Sequence, residues 1–333
     1  MVAVNSSTSS FKMNGKPNGF TTAERWGLVA VTLAGLAVLL VWLQFGPVLV
    51  PTCRTMAMRA LSPTTRVIAT GTSRVERGID PRSFKAPLVN VSSGGLSYLT
   101  MQPMIQRALA RAPGARLVLI EFDIFLLKGK GLIKERLFEL DVPMRYWPMP
   151  WMDRVWFVLE NGGVLSAMPH IDVEYFAQSI RPNERPPAGA NGFNPYPFFR
   201  DLSDEGSDEL YGAAKYISMH RKELVGDLDG RNIAALLELL TWLDARDIQW
   251  RLITLPHLPG WVEGRPEEWE QSVEGAWQAI RARYPDIDQR SWDATSELGL
   301  GRPHFHDGLH LNRLGVEVFN RALDERINGW LTP

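Results

Sequence analysis

From Trp26 to Leu43 the chain reads WGLVAVTLAGLAVLLVWL, eighteen residues without a charge or a proline. A helix built from it is apolar on every face, so it has no polar side to offer water as a surface helix does. With Phe45 and Val48 to Val50 extending it, its length approaches the roughly 30 Å of bilayer hydrocarbon. Trp26 and Trp42 fall where interfacial aromatics belong. The following QFGPVLVPTC offers no clean small-x-small cleavage site, so residues 25–50 read as one uncleaved transmembrane anchor rather than a signal peptide. Residues 1–24, rich in Ser, Asn, Gly and Lys with no apolar period, read as a disordered tail.

The charges around the anchor leave its orientation open: Lys12, Lys16 and Arg25 precede it, and Arg54, Arg59 and Arg66 follow. Across the chain 36 basic residues face 37 acidic ones, which supplies no basic footprint for nucleic acid. A hydrophobic content of 45% excludes a disordered chain. The single cysteine, Cys53, cannot form an internal disulfide. Val50-Pro51-Thr52 is a poor match to the small residues that precede a lipid-bearing cysteine, so Cys53 reads as a plain thiol.

Residues 51–333 suit one large domain or a domain with an elaborate insertion. Four short apolar runs recur there: Arg66–Thr70, Ala86–Val91, Ala115–Phe122 and Ile248–Leu255. Each is followed by a turn residue, and helical periods lie at Met104–Ala112, Asn232–Arg246 and about Leu314–Leu331. Strands alternating with helices predict an α/β fold with a parallel sheet wrapped by helices. Ligands in such sheets bind beyond the carboxyl ends of the strands. Between about 126 and 220 the pattern is irregular. The stretch VPMRYWPMPWMDRVWF at 142–157 reads either as a side layer of core or as an exposed platform that stacks on sugars or rests on a membrane interface.

Three strand ends carry candidate chemistry. Gly71-Thr72-Ser73-Arg74 places a serine in the turn after the first strand, where hydroxyl and backbone N–H can serve as nucleophile and half of an oxyanion hole. A Gly-x-Ser turn alone is a weak signal, since serines are common in turns and usually just satisfy backbone groups. Gly94-Gly95 lets the backbone approach closely and aim another N–H at the same oxyanion, or forms an ordinary tight turn. In His304-Phe-His306-Asp307-Gly-Leu-His310, Asp307 and His310 are three apart, and one helical turn or a tight loop sets them side by side. The carboxylate then fixes the imidazole's tautomer while the other ring nitrogen faces a serine, or the pair merely caps the last helix.

In this order the residues resemble the SGNH/GDSL hydrolase superfamily: Gly71-Thr72-Ser73 as nucleophile block, Gly94-Gly95 as glycine block, and Asp307-Gly-Leu-His310 as terminal block. The resemblance implies a flavodoxin-like three-layer sandwich over 51–333, with an insertion at about 126–220. It also implies Ser73 as nucleophile forming an acyl-enzyme, His310 as base, and Asp307 as its orienting partner. Two positions depart from the pattern. Thr72 replaces the usual Asp, and Glu121-Phe-Asp123 replaces the Gly-x-Asn-Asp block whose Asn donates to the oxyanion.

With the anchor, the altered blocks look more like the branch that acylates cell-surface polymers, whose relatives are the D-alanyl-transfer protein of teichoic acid and the alginate and cellulose acetylation proteins. That placement implies a cytoplasmic tail, a periplasmic body, a cell-surface polysaccharide as acceptor and a multispanning, MBOAT-like membrane acyltransferase as partner. Trp147, Trp151, Trp156 and Asp123 are the candidate substrate-binding residues. No cofactor is expected, since no Gly-rich phosphate loop is present. Two competing readings stay open. His304, His306, Asp307 and His310 could ligate a metal, somewhat as in binuclear metallohydrolases. Alternatively, a degenerate triad could sit in a non-catalytic, membrane-anchored polymer-binding scaffold.

Overall fold

The computed structural model describes residues 21–45, 57, 58, 60–92, 96–127, 193 and 230–332. The chain divides into two units, Met1–Gly46 and Pro47–Pro333. The first holds helix α1 (Thr22–Phe45), on which Trp26, Leu28, Val31 and Leu33 are all exposed. Among the described residues no helix is long and apolar enough to cross a membrane. The expected anchor at 25–50 runs past them, because the side chains of 37–45 and all of 46–50 lie outside the described residues.

The second unit begins with β1 (Val67–Thr70), α2 (Ser73–Gly78), β2 (Leu88–Asn90), α3 (Tyr98–Arg111), β3 (Leu117–Glu121) and α4 (Ile124–Leu127). It resumes with α5 (Gly230–Asp244), β4 (Gln249–Thr254), α6 (Pro259–Glu263), α7 (Glu267–Arg283), β5 (Ser291–Asp293), α8 (Ala294–Leu298) and α9 (Arg313–Leu331). Residues 128–229 apart from Phe193, and with them most of the expected insertion, lie outside the described set.

The five strands form one sheet in the order β2-β1-β3-β4-β5, and every pairing is parallel. Val67 stands opposite both Leu88 and Leu117, and Leu117 opposite Gln249. This is the flavodoxin-like strand order, and its direction reverses between β1 and β3. β1, β2 and β3 are buried residue by residue, as expected for strands covered on both faces. The pleat then sorts the side chains. Ile68, Val118, Ile120 and Leu252 pack with Met104 and Ile105 of α3 and Leu236, Leu239 and Leu243 of α5. Val67, Ala69, Leu117, Leu119 and Ile253 pack on the other face with Phe319, Leu323 and Ile327 of α9 and with Trp261, Trp269 and Trp292. Each buried Val, Leu, Ile, Phe or Met among them contributes about 1.5–3 kcal/mol by leaving water. The result is a three-layer sandwich.

Two differences from the sequence reading have local causes. β5 escapes it because only three residues pair, and of these only Trp292 is buried. α7 buries one narrow face, Trp269, Ala276 and Ile280, with Val273 and Trp277 packed beside it, on an otherwise charged and polar helix. It does carry Glu267, Glu268 and Glu270 in its first turn and Arg281 and Arg283 in its last, which complements the helix dipole.

Candidate active site

The crevice between β1 and β3, at the carboxyl ends where strand order reverses, is where an open α/β sheet leaves room for chemistry. β1 ends there at Thr70 and passes through Gly71 into α2. A side chain on Gly71 would lie 2.5 Å from Glu121 Oε2 and 2.5 Å from Val75 Cγ2, so the turn needs glycine to lie flat on the end of β3. Thr72 caps α2, its hydroxyl accepting the Arg74 N–H at 3.3 Å. The backbone N–H of Thr72 donates to Glu121 Oε2 at 2.5 Å. Ser73 is therefore the first residue of a short helix, half-buried, on a turn clamped from below.

The residues from Phe305 to Leu311 form a tight loop rather than a helical turn. Phe305 and Leu311 form an antiparallel bridge, and the His306 N–H donates to the His310 carbonyl at 2.9 Å. Phe305, Leu309 and Leu311 anchor the loop in the apolar layer against α9. Asn312 ties it to that helix, accepting the Gly315 N–H at 3.1 Å and donating to the Pro303 carbonyl at 2.7 Å. Gly315 is required here too, since a Cβ would collide with the His304 carbonyl.

The loop delivers His310 to Ser73. His310 Nε2 lies 3.1 Å from Ser73 Oγ, and Nδ1 lies 2.9 Å from Asp307 Oδ2 and 3.1 Å from Oδ1. Asp307 Oδ1 also accepts the N–H groups of Leu309 and His310, each at 2.8 Å. Burial alone would raise the Asp307 carboxyl, but the hydrogen bond and charge of His310 and the two N–H groups hold it well below the usual carboxylate range. An ionised carboxylate against Nδ1 assigns the ring proton to that nitrogen and leaves the Nε2 lone pair facing the serine. The imidazole itself is pushed below its ordinary value by burial, with Arg77 and Arg74 adding to the effect and Asp307 opposing it. It is therefore neutral near pH 7, as a general base must be.

Behind the serine sits a buried polar cluster centred on Arg74. The guanidinium pairs with Asp123, donates through Nη2 to the carbonyls of Leu255 (2.7 Å) and Pro256 (3.0 Å), and donates through Nε to that of Leu309 (3.3 Å). One side chain thus joins the ends of β3 and β4 and the histidine loop to the residue next to Ser73. Its planar fork of five donors suits that task. Asp123 also receives His257 Nε2 at 2.9 Å. Burial would raise the Asp123 carboxyl, yet Arg74 and His257 hold it far below its ordinary value. Burial and Arg74 push His257 down to about 3 against the pull of Asp123, so its ring is neutral. Glu121 is fully buried, and burial pushes it up to about 7; Asp123 adds to this, while Arg74, 3.6 Å away, and the Thr72 N–H oppose it.

The expected Ser73, His310 and Asp307 are thus brought together. Asp123, expected as a substrate-binding residue, is instead buried with its carboxylate committed to Arg74 and His257. Its buried place just past the end of β3, between Arg74 and His257, is the physical reason. Gly94, Gly95, Trp147, Trp151 and Trp156 lie outside the described residues. His304 turns its Nδ1 to the Gly301 carbonyl at 3.2 Å, and among the described residues no group of three or more His, Cys, Asp or Glu is arranged to hold a metal. The sequence reading passed over Arg74, Arg77, Glu121 as a clamp, and His257. The signal was there for His257, which stands just beyond the end of β4 like the other site residues.

No family pattern and no curated protein matches the chain. Among solved structures, it is similar in chain course to a protein of Bacteroides fragilis described as an acylhydrolase, at 13% identity and a TM-score of 0.40, covering 83% of this chain and 95% of that one. A GDSL-like lipase from Bacteroides thetaiotaomicron is similar at 11% identity and a TM-score of 0.39, covering 82% and 95%. At that level the chemistry below rests on this chain's own side chains.

Proposed function

We propose that this chain is a serine-dependent acyl-transfer enzyme of the SGNH type, held at a membrane and working outside it on the acyl groups of a cell-surface polysaccharide. The observation that carries the reading is the relay Ser73 Oγ–His310 Nε2 at 3.1 Å and His310 Nδ1–Asp307 at 2.9 Å. A structural Asp–His pair accounts for the second contact but not for a hydroxyl aligned on the opposite ring nitrogen at the sheet's switch point.

In the proposed route His310 takes the Ser73 proton as Oγ bonds to the acyl carbon. The carbonyl electron pair moves onto oxygen, which is held by the Ser73 N–H at the start of α2 and by the N–H of Gly94 or Gly95. The donor's C–O bond then breaks, and His310 returns the proton to the leaving oxygen. A sugar hydroxyl, deprotonated by the same imidazole, takes the acyl group from Ser73; with water in its place the enzyme is an esterase. The apolar run at 26–43 supports attachment to a membrane, and the exposed apolar side chains of α1 are in keeping with it. A multispanning, MBOAT-like acyltransferase would supply activated acyl groups from the other side.

A fluorophosphonate probe tests the nucleophile: wild-type protein is labelled and Ser73→Ala is not, whereas equal labelling of both, or none of either, removes the proposal. The direction of transfer is read from the acyl content of the polysaccharide in cells carrying Ser73→Ala. It falls if this chain adds the groups and rises if it strips them.

A further inference from the structure

Arg77 stands one helical turn after Ser73 on α2, and side chains four apart on a helix share a face. Both therefore look toward the histidine loop. Arg77 Nη1 lies 3.4 Å from His310 Nε2, the atom that is 3.1 Å from Ser73 Oγ. Nε2 has one lone pair, so a guanidinium N–H and the serine hydroxyl share it in the resting site. The block that would supply an amide donor to the oxyanion reads Glu121-Phe-Asp123 here, and both carboxylates are turned away into the Arg74 cluster.

We infer that Arg77 is a further catalytic residue, the side-chain donor that holds the oxyanion in place of the missing amide. This rests on the acyl-transfer reading above. As Oγ bonds to the acyl carbon, its proton moves to Nε2, and that nitrogen changes from acceptor to donor. Nε2 then no longer accepts from Arg77, and two N–H donors repel, in the same event that places a negative charge on the oxygen of the carbon that Oγ attacks. The guanidinium turns from Nε2 to that oxygen. When the leaving group departs with the proton from His310, the carbonyl re-forms and Arg77 returns to the bare Nε2. A cation so close makes imidazolium harder to form, and the oxyanion offsets that cost.

The two effects of Arg77 have opposite signs, which makes the assignment testable. If it only depressed the base, removing it would speed attack by Ser73. As an oxyanion donor, its loss slows attack by about 10²–10³-fold. The measurement is the rate of fluorophosphonate labelling of the full-length protein, wild type against Arg77→Gln and Arg77→Lys, with the His310 ring titrated by NMR in each. The expected order is wild type fastest, Arg77→Lys intermediate and Arg77→Gln slowest, with the His310 midpoint rising in Arg77→Gln even as labelling falls. Labelling of Arg77→Gln or Arg77→Lys at or above the wild-type rate overturns the role of Arg77 and leaves the triad standing. Absence of labelling in wild type overturns the triad, and the role of Arg77 with it.

Discussion

The Ser73 hydroxyl and the His310 imidazole, 237 positions apart in the chain, meet at 3.1 Å above the point where the sheet reverses its strand order. β1 delivers the first, and a loop pinned by Phe305, Leu309 and Leu311 delivers the second. Every link between them is a fixed element of the fold, so the pair is set before any substrate arrives.

Removing either partner should therefore abolish the reaction rather than weaken binding. Ser73→Ala and His310→Ala are expected to lose about 10³-fold or more in hydrolysis of an activated acetyl ester, and Asp307→Asn somewhat less. KM should change little. A variant at Ser73 or His310 that keeps nearly full turnover contradicts the assignment.

The pH profile follows from the imidazole. Burial and the neighbouring arginines lower His310 below its ordinary value of about 6.5, so it becomes a base only as the proton leaves. The rate should rise with pH through a midpoint below about 6.5 and then stay level. A midpoint well above 7 would mean that the titrating base is another group.

Arg74 is expected to matter for folding before catalysis. Arg74→Met takes the balancing cation from buried Asp123 and one donor from each of three carbonyls, and should cost about 3–5 kcal/mol in denaturant unfolding. Arg74→Lys should recover little, because one ammonium cannot reach Asp123, Leu255, Pro256 and Leu309 together. Full rescue by lysine would show that charge alone is what this position needs.

Glu121 and His257 act on stability with opposite signs. Glu121 is raised to about 7, so its contribution is complete below about 4.5 and is lost as pH rises through 7. His257 is lowered to about 3, so its contribution is present above about 6.5 and is lost as pH falls toward 3. Glu121→Gln should remove the decline between about 4.5 and 7 while leaving the acid limb intact. Unfolding free energies measured across that range check both limbs.

Gly71→Ala should be costly for a residue in a turn. Its Cβ would meet Glu121 and Val75 at 2.5 Å, and overpacking of this kind costs about 1–3 kcal/mol. The shift also carries Ser73 away from His310, so turnover should fall further than stability explains. A variant with wild-type turnover would show that the turn tolerates movement.

The parts of this molecule visible in its sequence are those whose partners are local or periodic. β1 to β4 read as apolar runs because both sheet faces are covered, and Asp307 and His310 stand out because three residues separate them. Ser73 could be placed by its position after a strand. The Arg74 cluster could not, since Asp123 lies 49 positions along the chain from Arg74 and His257 another 134 beyond Asp123, and only the fold makes them neighbours. In the sequence Glu121 reads only as the loss of an oxyanion donor, whereas in the fold it carries the turn under the nucleophile. β5 is too short to show a period at all.

The central claim is that Ser73 carries the acyl group between donor and acceptor. Incubation with an activated acetyl ester, acid quench and peptide mapping by mass spectrometry would test it most directly, using His310→Ala and Ser73→Ala beside the wild type. The account predicts one added acetyl group on the peptide holding Ser73 in wild type and none in either variant. An acetyl group elsewhere on that peptide in Ser73→Ala, or a wild type that turns over ester while its Ser73 peptide stays unmodified throughout, would contradict it.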